Sequence, residues 1–220
     1  MTPRFIVDFG SDGAPAEADG RLHGPAFSRN HGPIWDVIGP WLTQQTGDVL
    51  ELASGTGQHS VAFALRAPHL TFWPSDINGN HLRSIRAWRD FASVANVSEP
   101  QSIDLRDADW TISGPGTLTA MLAINLTHIA PWSVTENLIA GAAHWLKTGG
   151  RLFVYGPFMR DGAHTAPSNA RFDASLRGEN PEWGLRDIGA LAALGEAAGV
   201  PLVETTPMPA NNFTLTFEKA

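Results

Sequence analysis

The sequence predicts an α/β domain built on an open, mostly parallel sheet of about seven strands with helices on both faces. Short apolar runs alternate with longer stretches of helical spacing along most of the 220 residues. A glycine-containing turn, Ser54-Gly-Thr-Gly57, separates the first apolar run from the next helical stretch, and Asp76 closes the second run. The composition, 43% hydrophobic and 17% charged, is ordinary for a globular chain of one-domain length. Folding at this size removes roughly 70% of the unfolded chain's accessible surface, so a core needs neither metal nor disulfide.

Element by element, Pro25 to Gln45 places Ile34, Trp35, Ile38, Trp41 and Leu42 at helical spacing, an amphipathic helix with Pro40 as its expected kink. Asp48 to Ala53 is a compact strand, Ser54 to Gly57 its turn, and Gln58 to Arg66 the helix that follows. Leu70 to Pro74 forms the second strand, and Asn78 to Ala95 carries Leu82, Ile85, Trp88 and Phe91 at spacings of three. Ser102 to Leu105 offers a third, weaker strand. Leu118 to Asn125 is a fourth, almost continuously apolar, as strands covered on both faces tend to be. Val134 to Leu146 is helical, and Gly149-Gly150 stops it and turns the chain into a strand from Arg151 to Tyr155. Gly156 to Trp183 reads as a long irregular polar connection, functional or disordered at that length. Asp187 to Ala198 is the last helix, and Leu202 to Thr206 and Phe213 to Phe217 are the closing strands. Residues 1–20 read as a flexible leader, rich in Gly, Ala, Asp and Pro from Asp8 onward and expected to order only over a ligand; residues 21–220 read as one domain.

The absence of cysteine excludes disulfides, zinc–thiolate sites, iron–sulfur clusters and cysteine nucleophiles. Fifteen basic against twenty-two acidic residues, net −7, argue against a nucleic-acid partner or an anionic membrane surface, both of which need a concentrated basic face. No apolar run approaches the roughly 18 to 20 residues that a bilayer requires, and the chain is read as cytoplasmic. The eight histidines lack the His-Glu-x-x-His spacing and have no cysteine partner, so no metal is expected.

A glycine turn between strand and helix lets backbone N–H groups approach a nucleotide-like ligand, and the helix N-terminus favours nearby negative charge. Asp76 follows Gly57 by nineteen positions, close to the roughly twenty at which a carboxylate meets both ribose hydroxyls. The plainer alternative is a tight turn with a helix-capping aspartate. Ser60 stands where a dinucleotide fingerprint has its third glycine, whereas Glu51, Ala53, Gly55 and Gly57 keep a spacing of two that favours S-adenosylmethionine.

The run Glu51-Leu-Ala-Ser-Gly-Thr-Gly-Gln-His59 resembles the first motif of the class I, Rossmann-like S-adenosylmethionine-dependent methyltransferases. With Trp73-Pro-Ser-Asp76, Ala123-Ile-Asn-Leu-Thr-His-Ile-Ala-Pro-Trp132, Tyr155-Gly-Pro-Phe158, Asp161-Gly-Ala-His-Thr-Ala-Pro-Ser-Asn169 and Pro209-Ala-Asn-Asn212, the chain is similar to the DUF938 family, also called methyltransferase-like protein 26, from about Arg21 to its C-terminus. The resemblance implies a Rossmann-like class I methyltransferase fold, with S-adenosylmethionine as cofactor and S-adenosylhomocysteine as product. Carried over by position, it implies that Glu51 orients the cofactor's amino-acid end and that Ala53, Ser54, Gly55 and Gly57 form the turn beneath it. Asp76 would hold the ribose and Asp104 would meet the adenine amino group. Ala53 replaces the usual glycine, which is tolerable if its φ is negative.

In such folds the acceptor meets the methyl group at the end of the fourth strand, where Asn125 and His128 stand. A neutral histidine there takes a proton near pH 7; the competing reading is a histidine bonded to backbone. Tyr155 and His164 are further catalytic candidates. Trp132, Phe158, Asn169, Phe172 and Asn211 are candidate substrate contacts, against the alternative of a rigid surface loop that satisfies only itself. Trp183 could stack on a flat substrate. Arg29 and Asn30, on the first helix, are positioned to pair with the cofactor carboxylate or to face solvent. The expected function is methyl transfer to an N- or O-nucleophile of a small molecule. Two alternatives stay open: a cofactor-binding protein without catalysis, and a nicotinamide-dependent oxidoreductase using the same turn and Asp76.

Overall fold

A computed structural model describes residues 17–220; the leader expected over residues 1–20 lies outside them up to residue 16. In chain order the main elements are α1 (Phe27–Leu42), β1 (Gly47–Leu52), α2 (Gln58–Arg66), β2 (Leu70–Pro74), α3 (Gly79–Ala92), β3 (Leu118–Ile124), α4 (Trp132–Trp145) and β4 (Leu146–Gly156). There follow β5 (Phe158–Arg160), β6 (Ala163–His164), α5 (Pro167–Glu179), β7 (Arg186–Asp187), α6 (Ile188–Ala198), β8 (Leu202–Met208) and β9 (Asn212–Glu218). No helix of the described residues is long and apolar enough to cross a membrane.

Among the described residues, six strands form the main sheet in the order β2-β1-β3-β4-β9-β8. β2, β1, β3 and β4 run parallel, and β9 reverses direction between β4 and β8. The seventh strand is reduced to two isolated parallel bridges on the outer edge of β2, Phe72 to Val97 and Ser75 to Gln101. These lie just before the Ser102–Leu105 segment expected to form it. Pro100 falls inside this stretch and has no N–H to give a ladder. Ile103 and Leu105 are buried, and both line the principal cleft. Their alternation reflects packing into the core beside Leu126 and Val134, without strand pairing.

Successive residues of each strand point to opposite faces. Leu50, Leu52, Met121, Ala123, Leu152 and Val154 pack under α4 and α6, around Val134, Leu138, Ile139, Ile188 and Leu191. Val49, Ala120, Leu122, Phe153 and Tyr155 pack on the other side, with Ile34, Ile38 and Leu42 of α1 and Val61, Phe63 and Ala64 of α2. The first helix is continuous through Pro33 and Pro40. A methyl group on Gly141 of α4 would lie 2.0 Å from Trp110 Cζ2, so glycine is what admits that indole against the helix.

The connection from Gly156 to Trp183, expected to be irregular, contains β5, β6 and the thirteen-residue helix α5. Pro167 opens this helix, where its missing N–H costs nothing. The buried positions of α5 are Asn169, Asp173 and Leu176. Two of these three are polar, so the helix carries almost no hydrophobic periodicity. A second small sheet, β6-β5-β7, joins this segment to α6.

Candidate active site

The parallel strands all end at one edge of the sheet, and there the chain from Ala53 to Gly57 leaves β1 with left-handed φ at every second residue: 52° at Ala53, 55° at Gly55 and 86° at Gly57. Ala53 therefore does not have the negative φ that would make alanine comfortable in the turn. It sits in the region that costs a residue with a Cβ roughly 1–2 kcal/mol. Gly57 has a different constraint: a Cβ there would stand 2.8 Å from Ile85 Cα, so it admits α3 close against α2. Ser54 stitches the ends of β1 and β2, its N–H donating to Ser75 O at 2.7 Å and its hydroxyl to Glu51 O at 3.0 Å.

Asp76 follows β2 and is 6% exposed. Its Oδ2 accepts the Gly55 N–H at 2.9 Å, its Oδ1 accepts the Asn78 N–H at 2.8 Å, and His81 Nδ1 stands 3.1 Å from Oδ1. The carboxylate is thereby fixed in the lining of an open cleft. Ala53 and Gly55 line the cleft on the turn side, and Ile77, Ile103, Leu105, Leu126 and Val134 supply apolar walls. Asp104 lines it too, its carboxylate held by Arg106 Nε at 2.9 Å and Nη2 at 2.6 Å. Those hydrogen bonds hold the Asp104 carboxyl below its usual range.

Glu51 lies off the cleft wall. Its side chain is enclosed behind the turn, where the Ser60 hydroxyl donates to it. Burial, opposed by that hydrogen bond and reinforced by the Asp76 charge, pushes its carboxyl up to about 7. Ser60, which stood against a dinucleotide fingerprint, thus serves the glutamate.

A second group gathers where β3 and β4 end. Asn125 adopts a left-handed φ of 58° and donates its N–H to Tyr155 O at 2.8 Å. A Cβ on Gly156 would lie 3.3 Å from His128 Nδ1 and 3.7 Å from Asn125 Oδ1, so both side chains converge on that glycine. His128 is 4% exposed, and its Nδ1 is buried with no hydrogen-bond partner among the described residues. Burial first, and the Arg186 charge second, lower its pKa to about 4. Phe172, 42% exposed, meets the imidazole edge-on at 5.6 Å between centroids.

Around the Tyr155 hydroxyl stand Asn212, whose Nδ2 donates to it at 3.0 Å, and Asn30 and Arg29 of α1. Burial raises the phenol above its ordinary value, against the pull of those three neighbours. Asn30 Oδ1 lies 2.9 Å from His59 Nε2. Burial and the neighbouring His31 lower His59 to about 3. Arg29 itself is exposed.

The remaining candidates lie apart. Phe158 is 0% exposed, sealed into the core with Ile188 and Leu191, because β5 is covered by α6; it cannot wall a pocket. Trp183 is likewise buried, with Leu176 and Leu185. His164 Nε2 lies 3.2 Å from Asp173 Oδ2. Asn169 Nδ2 donates to Thr165 Oγ1 at 3.1 Å and to Asn211 O at 2.9 Å, and Asn211 Nδ2 to Ser168 Oγ at 3.3 Å, all within the connecting segments. Trp132 opens α4 with the Arg186 guanidinium 5.8 Å from its ring centroid. Sequence reading missed His81 and Arg186, and took Asp173 only as part of the long polar segment. His81 stands five residues after Asp76 on the same approach to a helix, a signal that was legible. Arg186 reaches Thr127 and Ala130 across a long sequence separation and leaves no local signal for that role, whereas the spacing of Asp173 and Arg177 by four on one helix was legible.

Over 89% of its length the chain superimposes on an O-methyltransferase family protein from Burkholderia thailandensis, with a TM-score of 0.76 and 20% identity, covering 57% of that protein. An O-methyltransferase family 2 protein from Planctomyces limnophilus, in complex with apigenin, matches over 91% of this chain and 63% of its own, at TM-score 0.68 and 18% identity. CalO1, a methyltransferase of calicheamicin biosynthesis in its SAH-bound form, matches over 80% and 49%, at TM-score 0.64 and 14% identity. The chain thus spans less than two thirds of each of these proteins, and at such identities the likeness is one of fold, the Rossmann-like methyltransferase fold. Residues 21–219 match the model of one family, described as protein of unknown function (DUF938), and the chain belongs to that family.

Proposed function

We propose that the protein is an S-adenosylmethionine-dependent methyltransferase acting on an N- or O-nucleophile of a small molecule. The observation that carries this reading is the Asp76 carboxylate, held by the Gly55 N–H in the lining of a largely apolar cleft at the sheet's carboxyl edge. Oδ2 has one protein N–H donor, that of Gly55, and keeps a lone pair for a sugar hydroxyl, while Oδ1 is shared by the Asn78 N–H and His81. Ile77, Ile103, Leu105 and Leu126 suit the faces of a purine, and Asp104 stands at the same cleft for its amino group. The donor set and the apolar walls fit an adenosyl group. When bound, the cofactor supplies an electrophilic methyl on a sulfonium, so the protein's share of the work is alignment, exclusion of water and disposal of a proton.

His128 suits the last of these tasks in a limited way. With a pKa near 4 it is neutral throughout the physiological range, and it takes a proton only from a nucleophile that alkylation has already made acidic. Phe172 meets it as an apolar contact for an acceptor. Among the structural relatives, one is described as SAH-bound and one as bound to apigenin, which supports the cofactor and a small acceptor. The net charge of −7 supports a small acceptor over nucleic acid. The reading also places the protein in the cytoplasm, with a leader through residue 20 and one domain beyond it.

Mass spectrometry of the small molecules that leave the purified, denatured protein tests this. Adenosylmethionine or adenosylhomocysteine is the expected mass. A nicotinamide dinucleotide in its place would overturn the reading.

A further inference from the structure

One short turn, Thr127–Ile129, follows β3 beside the cleft that Asp76 lines. Its flanks and its last residue, Leu126, Ile129, Ala130 and Pro131, form one wall of the cleft, and His128 sits at its centre. A 3₁₀ turn leaves its last carbonyls without partners of their own. Arg186 takes them: Nε donates to Thr127 O at 2.9 Å, and Nη2 donates to Ala130 O and, at 2.8 Å, to Glu182 O. The same segment adds the Gly184 N–H to His128 O at 3.0 Å. Trp132 covers one side of the cation. Among the described residues no carboxylate lies within 4.0 Å of this guanidinium; Asp173 and Arg177 of α5 are the charges it feels. Burial lowers its pKa.

A partly buried cation that donates to backbone carbonyls instead of a carboxylate serves geometry. A planar guanidinium holds its Nε and Nη2 donors apart in a fixed fork that spans two separated carbonyls, whereas the donors of an ammonium all radiate from one nitrogen on a flexible stem. We propose that Arg186 is a positioning residue that clamps the turn from Thr127 to Ala130, and so holds the cleft wall and the His128 ring in register with residues 182–186. This rests on the reading of the cleft as an adenosyl site. Asp173 extends the same chain of contacts: its Oδ1 accepts the Leu185 N–H at 2.7 Å, next to Arg186, and its Oδ2 faces His164 and Arg177.

The test compares Arg186→Met and Arg186→Lys with the parent in the full chain, by calorimetric titration with adenosylhomocysteine and by NMR titration of the His128 ring. Arg186→Met is expected to weaken adenosylhomocysteine about tenfold and to raise the His128 pKa, since both clamp and charge are gone. Arg186→Lys is expected to keep the low His128 pKa while still losing affinity, a split that loss of stability alone does not produce. If Arg186→Met does not fold, the lysine variant carries the comparison. Parental affinity in either folded variant overturns the clamp. If the parent itself binds no adenosylhomocysteine, the adenosyl reading fails; an unmoved His128 resonance and pKa in Arg186→Met would then overturn the clamp independently.

Discussion

Glu51 is a buried carboxylate whose environment opposes its charge. An acid whose pKa rises from 4.5 unfolded to about 7 folded binds its proton more tightly in the native state, so stability is full below about pH 4.5, declines between 4.5 and 7, and levels off above. Glu51→Gln keeps an acceptor for the Ser60 hydroxyl and removes that loss. It is expected to raise stability at pH 8 by on the order of 3 kcal/mol and to flatten the pH dependence of the denaturant midpoint. An unchanged slope would show that the glutamate is not titrating in this window. Two residues on, Ala53 has a φ of 52° at a position lining the cleft. Ala53→Gly relieves the left-handed strain and is expected to stabilise by up to about 1 kcal/mol, net of glycine's greater unfolded entropy. Thermal unfolding checks this, and a destabilised variant would mean that the methyl group matters more for packing than for strain.

At the scale of elements, α5 is tied to the segment before β7 by a buried carboxylate as well as by the packing of Leu176 on Trp183 and Leu185. Burial works to raise the Asp173 carboxyl, but hydrogen bonds from Arg177, the Leu185 N–H and His164 outweigh it and hold it below the usual range. Asp173→Ala leaves the Leu185 N–H without its acceptor, at a cost of about 1–3 kcal/mol. Hydrogen exchange is expected to speed up across residues 163–187 while β1, β3 and β4 keep their protection; unaltered exchange in that segment would contradict the role. The same helix shows why part of the fold was hidden. The strands and helices with apolar stripes, β1 through β4 and α1 through α4, were legible because hydrophobic periodicity reports burial directly. The polar buried face of α5 reports nothing of the kind, and Ile103 and Leu105 imitated a strand because core packing without strand pairing also buries alternate residues. Within the site, Asp76 and the turn were legible from spacing. The left-handed φ of Ala53, the enclosure of Phe158 and the Arg186 clamp were not, since each depends on what the fold brings from elsewhere.

Across the whole molecule, the parallel strands bring the turn after β1, the carboxylate after β2 and the turn after β3 to one edge, and the accessory segment after β4 closes against the last of these through Arg186 and Gly184. The central claim is that this edge holds an adenosyl group by its sugar. Calorimetric titration of adenosylhomocysteine into the parent and into Asp76→Asn tests it most directly. The amide oxygen can still accept from Gly55, but its NH2 then replaces Oδ1, leaving the Asn78 N–H without that acceptor and offering a sugar hydroxyl a donor where it needs an acceptor. The account predicts binding to the parent, weakened at least tenfold, roughly 1.4 kcal/mol, in a variant that remains folded. Equal affinity in the two folded proteins would contradict it.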